Sequence, residues 1–453
     1  MRRANHAHTL ALTLALAAGL SNEALAAGGT LVGWAVMAPD TFSDGPTSGQ
    51  MISGNPYGTH LPPYPDRQPV QGFSAVLPGE NGSFLFLSDN GFGARGNSAD
   101  ALLRLYSLRP DFRTAEGGTG TVSASGLLTG LPLARFTEPA RITLNDANER
   151  LGVPIQAEHA YYYDSAANPE VAPSIRFGRL LTGADFDVES VRQDANCNFW
   201  FGDEFGPYLI KTDRAGTVLR SEIPLPGVYA PEHRDVVAGR ARANLAGSGG
   251  VEGMAISPRG DRLYTLLEKP VAGDPVDRLR IDEFDIEQER YTGVRYFYRL
   301  EAPEHAIGDM TAVDDSRFLV IERNGSTATS GVPFKKIYLI DTRRVVSGGL
   351  VSKTELVDLM NIADPHDLNA DGSTLFTFPY VTIESVLPLD PWTLLVANDN
   401  NFPGGGGREL AADATELLKV RLAAPLAGLR LEGPAERQRR LMRCARVEPE
   451  TRS

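Results

Sequence analysis

Short apolar runs, each ended by a carboxylate and followed by a second apolar run, recur along this chain. The clearest copy is residues 185–213, DFDVESVRQDANCNFWFGDEFGPYLIKTD. It opens on a tetrapeptide with apolar outer residues and small or acidic inner ones. The five openings are FSAV at Ser74, VESV at Glu189, VEGM at Glu252, MTAV at Thr311 and IESV at Glu384. The closing acids are Asp89, Glu204, Glu268, Glu322 and Asp399, which follow after 15, 15, 16, 11 and 15 residues.

Repeats of this length, built from short runs with a period near two, are typical of β-propeller blades. Each blade buries its faces only against its neighbours, so the units are expected to close into a ring. The run at residues 31–37, LVGWAVM, predicts an N-terminal strand that completes the last blade. A long interval before the second repeat predicts a degenerate blade at residues 136–181. The expected fold is therefore all-β, a propeller of six blades, with five or seven left open.

Composition is consistent with this fold class. The 453 residues would suit two domains or one large ring, and the repeats favour the ring. The 46 Gly and 31 Pro suit a fold with many turns, while 42% hydrophobic residues supply a core. We expect the propeller domain at residues 27–423. Residues 424–453 form an arginine-rich tail, interpreted as a solvated helix or disordered end, with a docking surface as the alternative.

The N-terminal residues 1–26 have two arginines, an apolar run and Ala24-Leu25-Ala26, a pattern typical of a secretory signal peptide. A buried N-terminal helix is the alternative. Cleavage after Ala26 would leave no membrane-spanning segment and would place the protein in the periplasm or outside the cell. The formal net charge, −13, argues against a nucleic-acid partner and suits the binding of cations. Only Cys197 and Cys444 are present, so no disulfide framework is expected, and their pairing stays open.

Acidic residues at equivalent strand ends should converge at one mouth of the central channel, because side chains alternate along strands and blades repeat around one axis. The predicted metal ligands are Asp89, Glu189, Asp203, Glu204, Glu252, Asp309, Glu322, Glu384 and Asp399, with Glu268 and Asp100 as further acids of this set. Clusters of oxygen ligands without thiols select hard cations, above all Ca²⁺. The alternative is that single acids accept turn amides or pair with arginines.

Three basic residues, Arg95, Lys269 and Arg323, follow acidic strand ends and could bind an anionic substrate. Ordinary surface salt bridges are the alternative. His366, beside Asp367, is a candidate general base, although such a histidine in a turn is more often structural. His159 is a weaker candidate.

Other catalytic motifs are missing or lack their context. Residues 91–96 match GxGxxG, but the sequence after them predicts a turn and a strand, so we interpret the match as an inter-strand loop. The chain has no GxSxG, HExxH, GxxxxGK[ST], CxxC or RHG motif. Metal-assisted hydrolysis is thus the better supported enzyme class.

Several motifs in order resemble the bacterial phytase-like proteins, which are associated with esterase-like activity. They are TFSDGPTSGQ, SDNGFGARGNSAD, DFDVES with FGDEFGPYL, and GGVEGMAISP with LLEKP. The resemblance extends over residues 31–422. It implies a secreted or periplasmic β-propeller that hydrolyses phosphate or carboxylic esters. The chain lacks a dense lysine and arginine cluster for a hexaphosphate, so a smaller or less charged ester is an equal expectation.

The leading hypothesis is a calcium-dependent hydrolase of phosphate monoesters or related esters. Glu189, Glu204, Glu252 and Glu268 would act around the ion, with Lys269 or Arg323 stabilising the departing negative charge. Two alternatives keep the fold. One is a non-catalytic envelope protein that binds a metal or an anionic ligand, and the other is a lactone or sugar-ester hydrolase.

Overall fold

The computed structural model describes residues 28–52, 60–408 and 411–433, together with Cys444. The predicted signal peptide, residues 1–26, lies outside the described residues. Most of the C-terminal tail lies outside them as well.

The described chain is built mainly from short strands. In chain order they are β1 (Thr30–Met37), β2 (Phe42–Asp44), β3 (Arg67–Pro69), β4 (Phe73–Pro78), β5 (Phe84–Ser88), β6 (Arg104–Asp111), β7 (Thr121–Ser125), β8 (Pro132–Leu133), β9 (Arg141–Thr143), β10 (Val188–Gln193), β11 (Phe199–Asp203), β12 (Tyr208–Thr212), β13 (Ile223–Pro224), β14 (Val251–Ile256), β15 (Arg262–Leu267), β16 (Arg278–Asp285), β17 (Arg290–Arg299), β18 (Ala306–Ala312), β19 (Arg317–Arg323), β20 (Lys335–Asp341), β21 (Ser352–Asp358), β22 (Ile362–Ala363), β23 (Leu375–Phe376), β24 (Thr382–Asp390), β25 (Thr393–Asp399) and β26 (Thr415–Arg421).

Helices are few and short in this part of the chain. The α-helices are α1 (Pro173–Gly178) and α2 (Arg234–Val237). The 3₁₀ helices are Glu80–Gly82, Arg95–Asn97, Glu138–Ala140, Gln156–Glu158 and Tyr162–Asp164.

Burial along the strands follows the sequence pattern. In β1, TLVGWAVM, buried and half-buried residues alternate, as expected for a strand with one face on the core. In β10, VESVRQ, five consecutive residues are buried, because a strand next to the channel is covered on both faces.

The longer strands group into five four-stranded antiparallel units, which we call sheets. The first and the fifth of them are joined into one larger sheet by a parallel pairing of β1 with β7. The first sheet is β4–β7, the second β10–β13, the third β14–β17 and the fourth β18–β21. The fifth sheet consists of β24, β25, β26 and β1, with β1 antiparallel to β26 as its outer strand. The predicted closure of the last sheet by the N-terminal strand is therefore observed.

Hydrophobic clusters show that these sheets close into a ring. Each neighbouring pair of sheets shares one cluster of buried side chains, including the pair made by the fifth and first sheets. The first strands β4, β10, β14, β18 and β24 contact one another in that circular order. The architecture is a closed ring of sheets, each buried against two neighbours, which is the arrangement of a β-propeller.

The sixth blade predicted at residues 136–181 is not confirmed. This segment contributes β9, which pairs with β6 of the first sheet, three 3₁₀ helices and α1. Its apolar residues, among them Leu144, Ile155, Tyr162 and Ile175, pack onto the cluster between the first and second sheets. The apolar runs there fill the edge of an existing interface, so their pattern resembled that of strands without forming a sheet.

Cys197 and Cys444 form a disulfide, with their Cα atoms 5.7 Å apart. Cys197 lies in the turn between β10 and β11, so the bond attaches the C-terminal tail to the second sheet. No helix within the described residues has the length and hydropathy needed to cross a bilayer.

Candidate functional site

Each of the five innermost strands has a β-bulge at the same place. The pairing register shifts across Ser74 in β4, Glu189 in β10, Glu252 in β14, Gly308 in β18 and Glu384 in β24. A bulge redirects the extra residue out of the regular ladder. The repeated opening of the sequence units is therefore the bulge, which aims three glutamates into one region.

A second set of equivalent positions lies at the end of the second strand of each sheet. Alignment of the pairing registers places Asp89, Glu204, Glu268, Arg323 and Asp399 together in this set. These residues follow the bulge by 15 or 16 residues in every sheet. The first, second, third and fifth sheets thus supply an acid at the strand end, and the fourth sheet supplies an arginine.

The fourth repeat was misassigned in the sequence analysis. The predicted opening at Thr311 lies three residues beyond the true bulge at Gly308, and the predicted closing acid Glu322 lies one residue before the equivalent position. Gly308 has no side chain, and a Cβ there would lie 2.1 Å from the Ile383 carbonyl oxygen. The tetrapeptide MTAV, which follows Gly308, has the apolar ends of an opening tetrapeptide and was therefore taken for the opening of this repeat.

We call the convergent acids the carboxylate ring, which consists of Asp89, Asp187, Glu189, Glu204, Glu252, Glu268, Glu384 and Asp399. Seven of the eight are buried, and Asp89 is half-buried. Acids from different sheets lie close enough to interact. Glu384 of the fifth sheet and Asp89 of the first both raise the pKa of Glu189 in the second. The predicted convergence of acids from distant parts of the chain is therefore present in the structure.

Burial and mutual repulsion raise the pKa values of the carboxylate ring. Burial is the main cause at Glu189, followed by the charges of Asp187 and Glu252, and its pKa rises well above the ordinary value. Burial and neighbouring acids likewise raise the pKa of Glu204. The pKa of Glu384 rises to about 8 and that of Asp399 to about 6, again mainly through burial. Acids buried close together are stable only when some of them are protonated or when a cation lies between them.

Asp187, Glu189 and Glu204 form the tightest group within the ring. Each offers one carboxylate oxygen, and these atoms all lie within 4.8 Å of one another. Asp187 Oδ1 and Glu204 Oε1 are buried and have no hydrogen-bond partner among the described residues. Oxygens bound to one Ca²⁺ can lie up to about 5.2 Å apart, twice the usual contact distance. The donor set and its spacing therefore fit a calcium ion.

Arg323 is the counter-charge shared by the ring. Its Nη2 lies 3.2 Å from Glu268 Oε1, 3.4 Å from Glu384 Oε1 and 3.7 Å from Glu252 Oε1. Burial alone lowers the pKa of Arg323, but these carboxylates outweigh it and hold its pKa above the ordinary value. One guanidinium cannot neutralise eight carboxyl groups, so the ring keeps a large excess of acids.

Two lysines border the ring. Lys269 Nζ lies 3.0 Å from Glu268 Oε2, and its side chain is 38% exposed. Lys335, which sequence reasoning missed, is fully buried opposite Arg323. Its Nζ donates to the carbonyl oxygens of Asn324 and Val381, and burial followed by the charge of Arg323 lowers its pKa to about 7.

Asp203 and Asp309 were predicted as metal ligands, but their oxygens are engaged elsewhere. Asp203 accepts hydrogen bonds from the backbone amides of Asp187 at 2.9 Å and Gly206 at 2.6 Å, so it positions the start of β10. Asp309 lies 3.0 Å from Arg192 and accepts the amide of Val386 at 3.0 Å. Both acids are structural neighbours of the ring.

Glu322 was also predicted as a ligand, and it belongs to a separate buried network between the third and fourth sheets. It accepts hydrogen bonds from Tyr298 Oη at 2.7 Å and from the Glu301 amide at 2.7 Å. Its carboxylate also lies 2.8 Å from His305 Nδ1 and 2.5 Å from Lys353 Nζ. These partners satisfy both oxygens, which leaves none for a metal.

Two other candidates, His366 and Asp100, lie outside the ring. His366 is exposed in a turn after β22, which pairs with the outer strand β1, so it is remote from the ring. Asp367 beside it accepts the Gly372 amide and does not orient an imidazole. Asp100 holds the amides of Gly49 and Gln50, both in the TFSDGPTSGQ segment.

Asp187 was not among the predicted ligands, although it lies in the clearest copy of the repeat. It stands two residues before Glu189 in DFDVES, and side chains two residues apart lie on the same side of an extended chain. That spacing was a usable signal.

The chain matches one known protein family over most of its length. The family model described as Phytase-like, esterase-like activity of phytase, matches residues 68–402. No curated protein matches the chain at a significant level.

Similar solved structures are distant in sequence. The luciferin-regenerating enzyme is 11% identical with a TM-score of 0.33, over 89% of this chain and 97% of that chain. The PQQ-bound aldose sugar dehydrogenase from Streptomyces coelicolor is 8% identical with a TM-score of 0.34, over 88% and 99%. The β-propeller domain of Cps50 (Swd1) from Myceliophteria thermophila is 10% identical with a TM-score of 0.24, and the match spans 47% of this chain and about half of that one, 49%.

Proposed function

This chain belongs to the phytase-like family, and on that premise we propose that it is a calcium-dependent hydrolase of phosphate monoesters or related esters. The observation that carries the proposal is the group formed by Asp187, Glu189 and Glu204, whose oxygens lie within 4.8 Å of one another. Two of those residues have buried oxygens without a hydrogen-bond partner among the described residues. A buried acid with an unused oxygen is costly unless a proton or cation meets it.

The residues of the ring divide into two roles. Asp187, Glu189 and Glu204 would hold the ion, which when bound lowers the pKa of a coordinated water and polarises the ester. Glu252 is suited to accept a proton from the attacking water, because its Oε1 has no hydrogen-bond partner in the described part of the chain and burial raises its pKa. Lys269, which is partly exposed, is suited to stabilise the negative charge of the product.

The reaction balances with water as the only co-reactant. The oxygen of water bonds to the phosphorus or acyl carbon, and the bond from that atom to the ester oxygen breaks. One proton of water passes to Glu252 and from there to the leaving alcohol. No oxidant or reductant is required.

The charge of the ring favours a substrate with little negative charge. Arg323 is already shared among three carboxylates, and Lys269 is paired with Glu268. A polyphosphate would meet more repulsion than attraction unless several cations entered with it. A carboxylic ester, including a lactone or sugar ester, is therefore a second candidate substrate within the same hydrolytic function.

The disulfide supports an oxidising compartment. Bonds such as Cys197–Cys444 persist mainly in secreted and periplasmic proteins. We propose a periplasmic or secreted location on that basis.

Side-by-side assays test the proposal. Protein treated with chelator would be assayed on p-nitrophenyl phosphate, p-nitrophenyl acetate and γ-butyrolactone, with and without Ca²⁺. We expect hydrolysis of at least one class only with Ca²⁺, and loss of it in Glu252→Gln. Glu355→Gln, a change on the outer strand β21, is the matched control and should leave the rate unchanged. Rates that are equal with chelator and with Ca²⁺ would contradict the proposal, and calcium binding without any turnover would favour a non-catalytic binding protein.

A further inference from the structure

A cavity of about 500 Å³ is lined in part by residues that are next in sequence to members of the carboxylate ring. It lies between the second sheet and two loops, one before α1 and one that includes α2. Its floor is formed by Phe186, Phe205 and Tyr208, and its walls include Val153, Pro154 and Val237. This volume and this mainly apolar lining are typical of small-molecule sites.

The cavity is joined to the ring through the backbone. Phe186 directly precedes Asp187, and Phe205 directly follows Glu204. Neighbouring Cα atoms are about 3.8 Å apart across a trans peptide, so the floor begins one residue away from two of the proposed calcium ligands.

The floor is held rigidly. Phe186 and Phe205 are buried, and the guanidinium of Arg95 lies 5.9 Å from the Phe205 ring. Arg95 Nε donates to the Ala184 carbonyl oxygen at 3.0 Å, and the Tyr163 hydroxyl donates to the Arg95 carbonyl oxygen. A preformed apolar floor of this kind binds a bulky group without an ordering cost.

The two arginines of the cavity each have a polar partner. Arg234 Nη1 lies 2.6 Å from Glu222 Oε1, and its backbone amide donates to Tyr208 Oη at 2.8 Å. Arg95 Nε donates a hydrogen bond to the Ala184 carbonyl oxygen. Two arginines, one of them already paired with a carboxylate, are few cations for a ligand with several phosphates.

One polar atom in the lining is a buried acceptor. Glu232 contributes to the lining, and its Oε2 is buried without a hydrogen-bond partner among the described residues. A carboxylate oxygen is an acceptor, so it matches a hydroxyl or amine donor of a ligand.

We propose that this cavity binds the organic group of the substrate, and that this group is bulky, apolar or aromatic, and carries a hydroxyl or amine donor for Glu232. The ester bond of the same molecule then lies at the carboxylate ring. This assignment rests on the proposed hydrolase function and adds the substrate class to it. The protein would select esters of large alcohols over polyphosphates.

Binding of the product-like alcohol 5-amino-1-naphthol, followed by its fluorescence, tests the assignment without turnover. Val237→Trp fills the mouth of the cavity from an exposed position on α2 and should weaken binding about tenfold or more. Val346→Trp, at a similarly exposed valine in a turn after β20, is the matched control and should bind like the wild type. Equal affinity of the two variants, or no binding by the wild type at millimolar concentration, would overturn the assignment.

A second comparison isolates Glu232. Glu232→Leu should weaken 5-amino-1-naphthol about tenfold, the effect of losing a hydrogen bond to a charged group, and should leave 1-naphthol, which lacks the amine, nearly unchanged. An equal loss for both compounds would contradict the role of Glu232. These measurements do not depend on hydrolysis, so naphthol binding without ester turnover would reject the proposed function alone. Turnover of small esters without naphthol binding would reject the cavity alone.

Discussion

Glu204 and Glu322 are both buried acids near the end of the second strand of a sheet, yet their surroundings are opposite. Glu322 is surrounded by donors, with contacts of 2.5 to 2.8 Å from Lys353, Tyr298, His305 and a backbone amide. Glu204 is surrounded by other acids, and its Oε1 has no hydrogen-bond partner among the described residues.

The difference separates a structural acid from a candidate functional one. A carboxylate whose lone pairs are all used stabilises the fold and has nothing to offer a ligand. A buried carboxylate with an unused oxygen costs stability, and such sites commonly serve binding or catalysis. The Glu322 network and the carboxylate ring should therefore respond in opposite directions to loss of an acid.

The largest effect is expected for Glu322→Ala. The change would leave the buried Tyr298 and His305 without their acceptor and would remove one of the two carboxylates of Lys353, which should lower the free energy of unfolding by about 3 kcal/mol. Glu301→Gln is the control, because its pair with Lys353 at 2.9 Å involves a side chain that is half exposed, and should cost under about 1 kcal/mol. Urea unfolding measures both. Equal costs would mean that the network does not support the fold, and calcium affinity should be unchanged in either variant.

Arg323→Met should have an effect almost as large. Removal of the shared guanidinium leaves Glu252, Glu268 and Glu384 without a counter-charge, so the chelator-treated protein should lose about 3 kcal/mol at pH 8. The loss should shrink at pH 5, where the carboxyl groups take up protons. Arg343→Met, a change at an exposed arginine paired with Asp341, should cost little at either pH. A loss that does not depend on pH would argue against charge as the cause.

The pH dependence of the chelator-treated wild type sharpens the same comparison. The folded pKa values of Glu384, about 8, and Asp399, about 6, exceed those of the unfolded chain, near 4. The folded protein therefore holds more protons than the unfolded chain in this window, and its stability should fall as pH rises from about 4 to about 8. Thermal unfolding between pH 5 and 8 should show this fall, and Ca²⁺ should reduce it. A rise in stability over the same window would contradict the account.

The smallest effect on stability is expected for Glu204→Gln. The amide removes one charge from a crowded ring, so the chelator-treated variant should be more stable than the wild type at pH 8, by on the order of 1 kcal/mol. Urea unfolding in chelator measures the gain. Destabilisation instead would place Glu204 with the structural acids.

The repeats made much of the fold and site predictable. Ser74, Glu189, Glu252 and Glu384 were found because the bulge residue recurs at a fixed distance from the strand end. The fourth sheet was misread because Gly308 leaves no side-chain signal, and because the acid next to Arg323 imitated the closing acid of the other repeats. Pattern alone cannot tell which of two adjacent strand-end residues faces the ring.

The sequence could not indicate which residues far apart in the chain become hydrogen-bond, ion-pair or disulfide partners. The donors around Glu322 come from strands 17 to 31 residues away and from another sheet, and Arg192 neutralises Asp309 across 117 residues. The disulfide of Cys197 joins it to a residue 247 positions away. The apolar segment at residues 136–181 imitated a blade because filling an interface and forming a strand require similar residues.

The most direct test of the central claim is a calorimetric titration of Ca²⁺ into chelator-treated wild type and Glu204→Gln. The account predicts saturable binding to the wild type, and its loss in the variant while the fold persists. Absence of binding to the wild type, or equal affinity in the two proteins, would contradict a calcium site at the carboxylate ring.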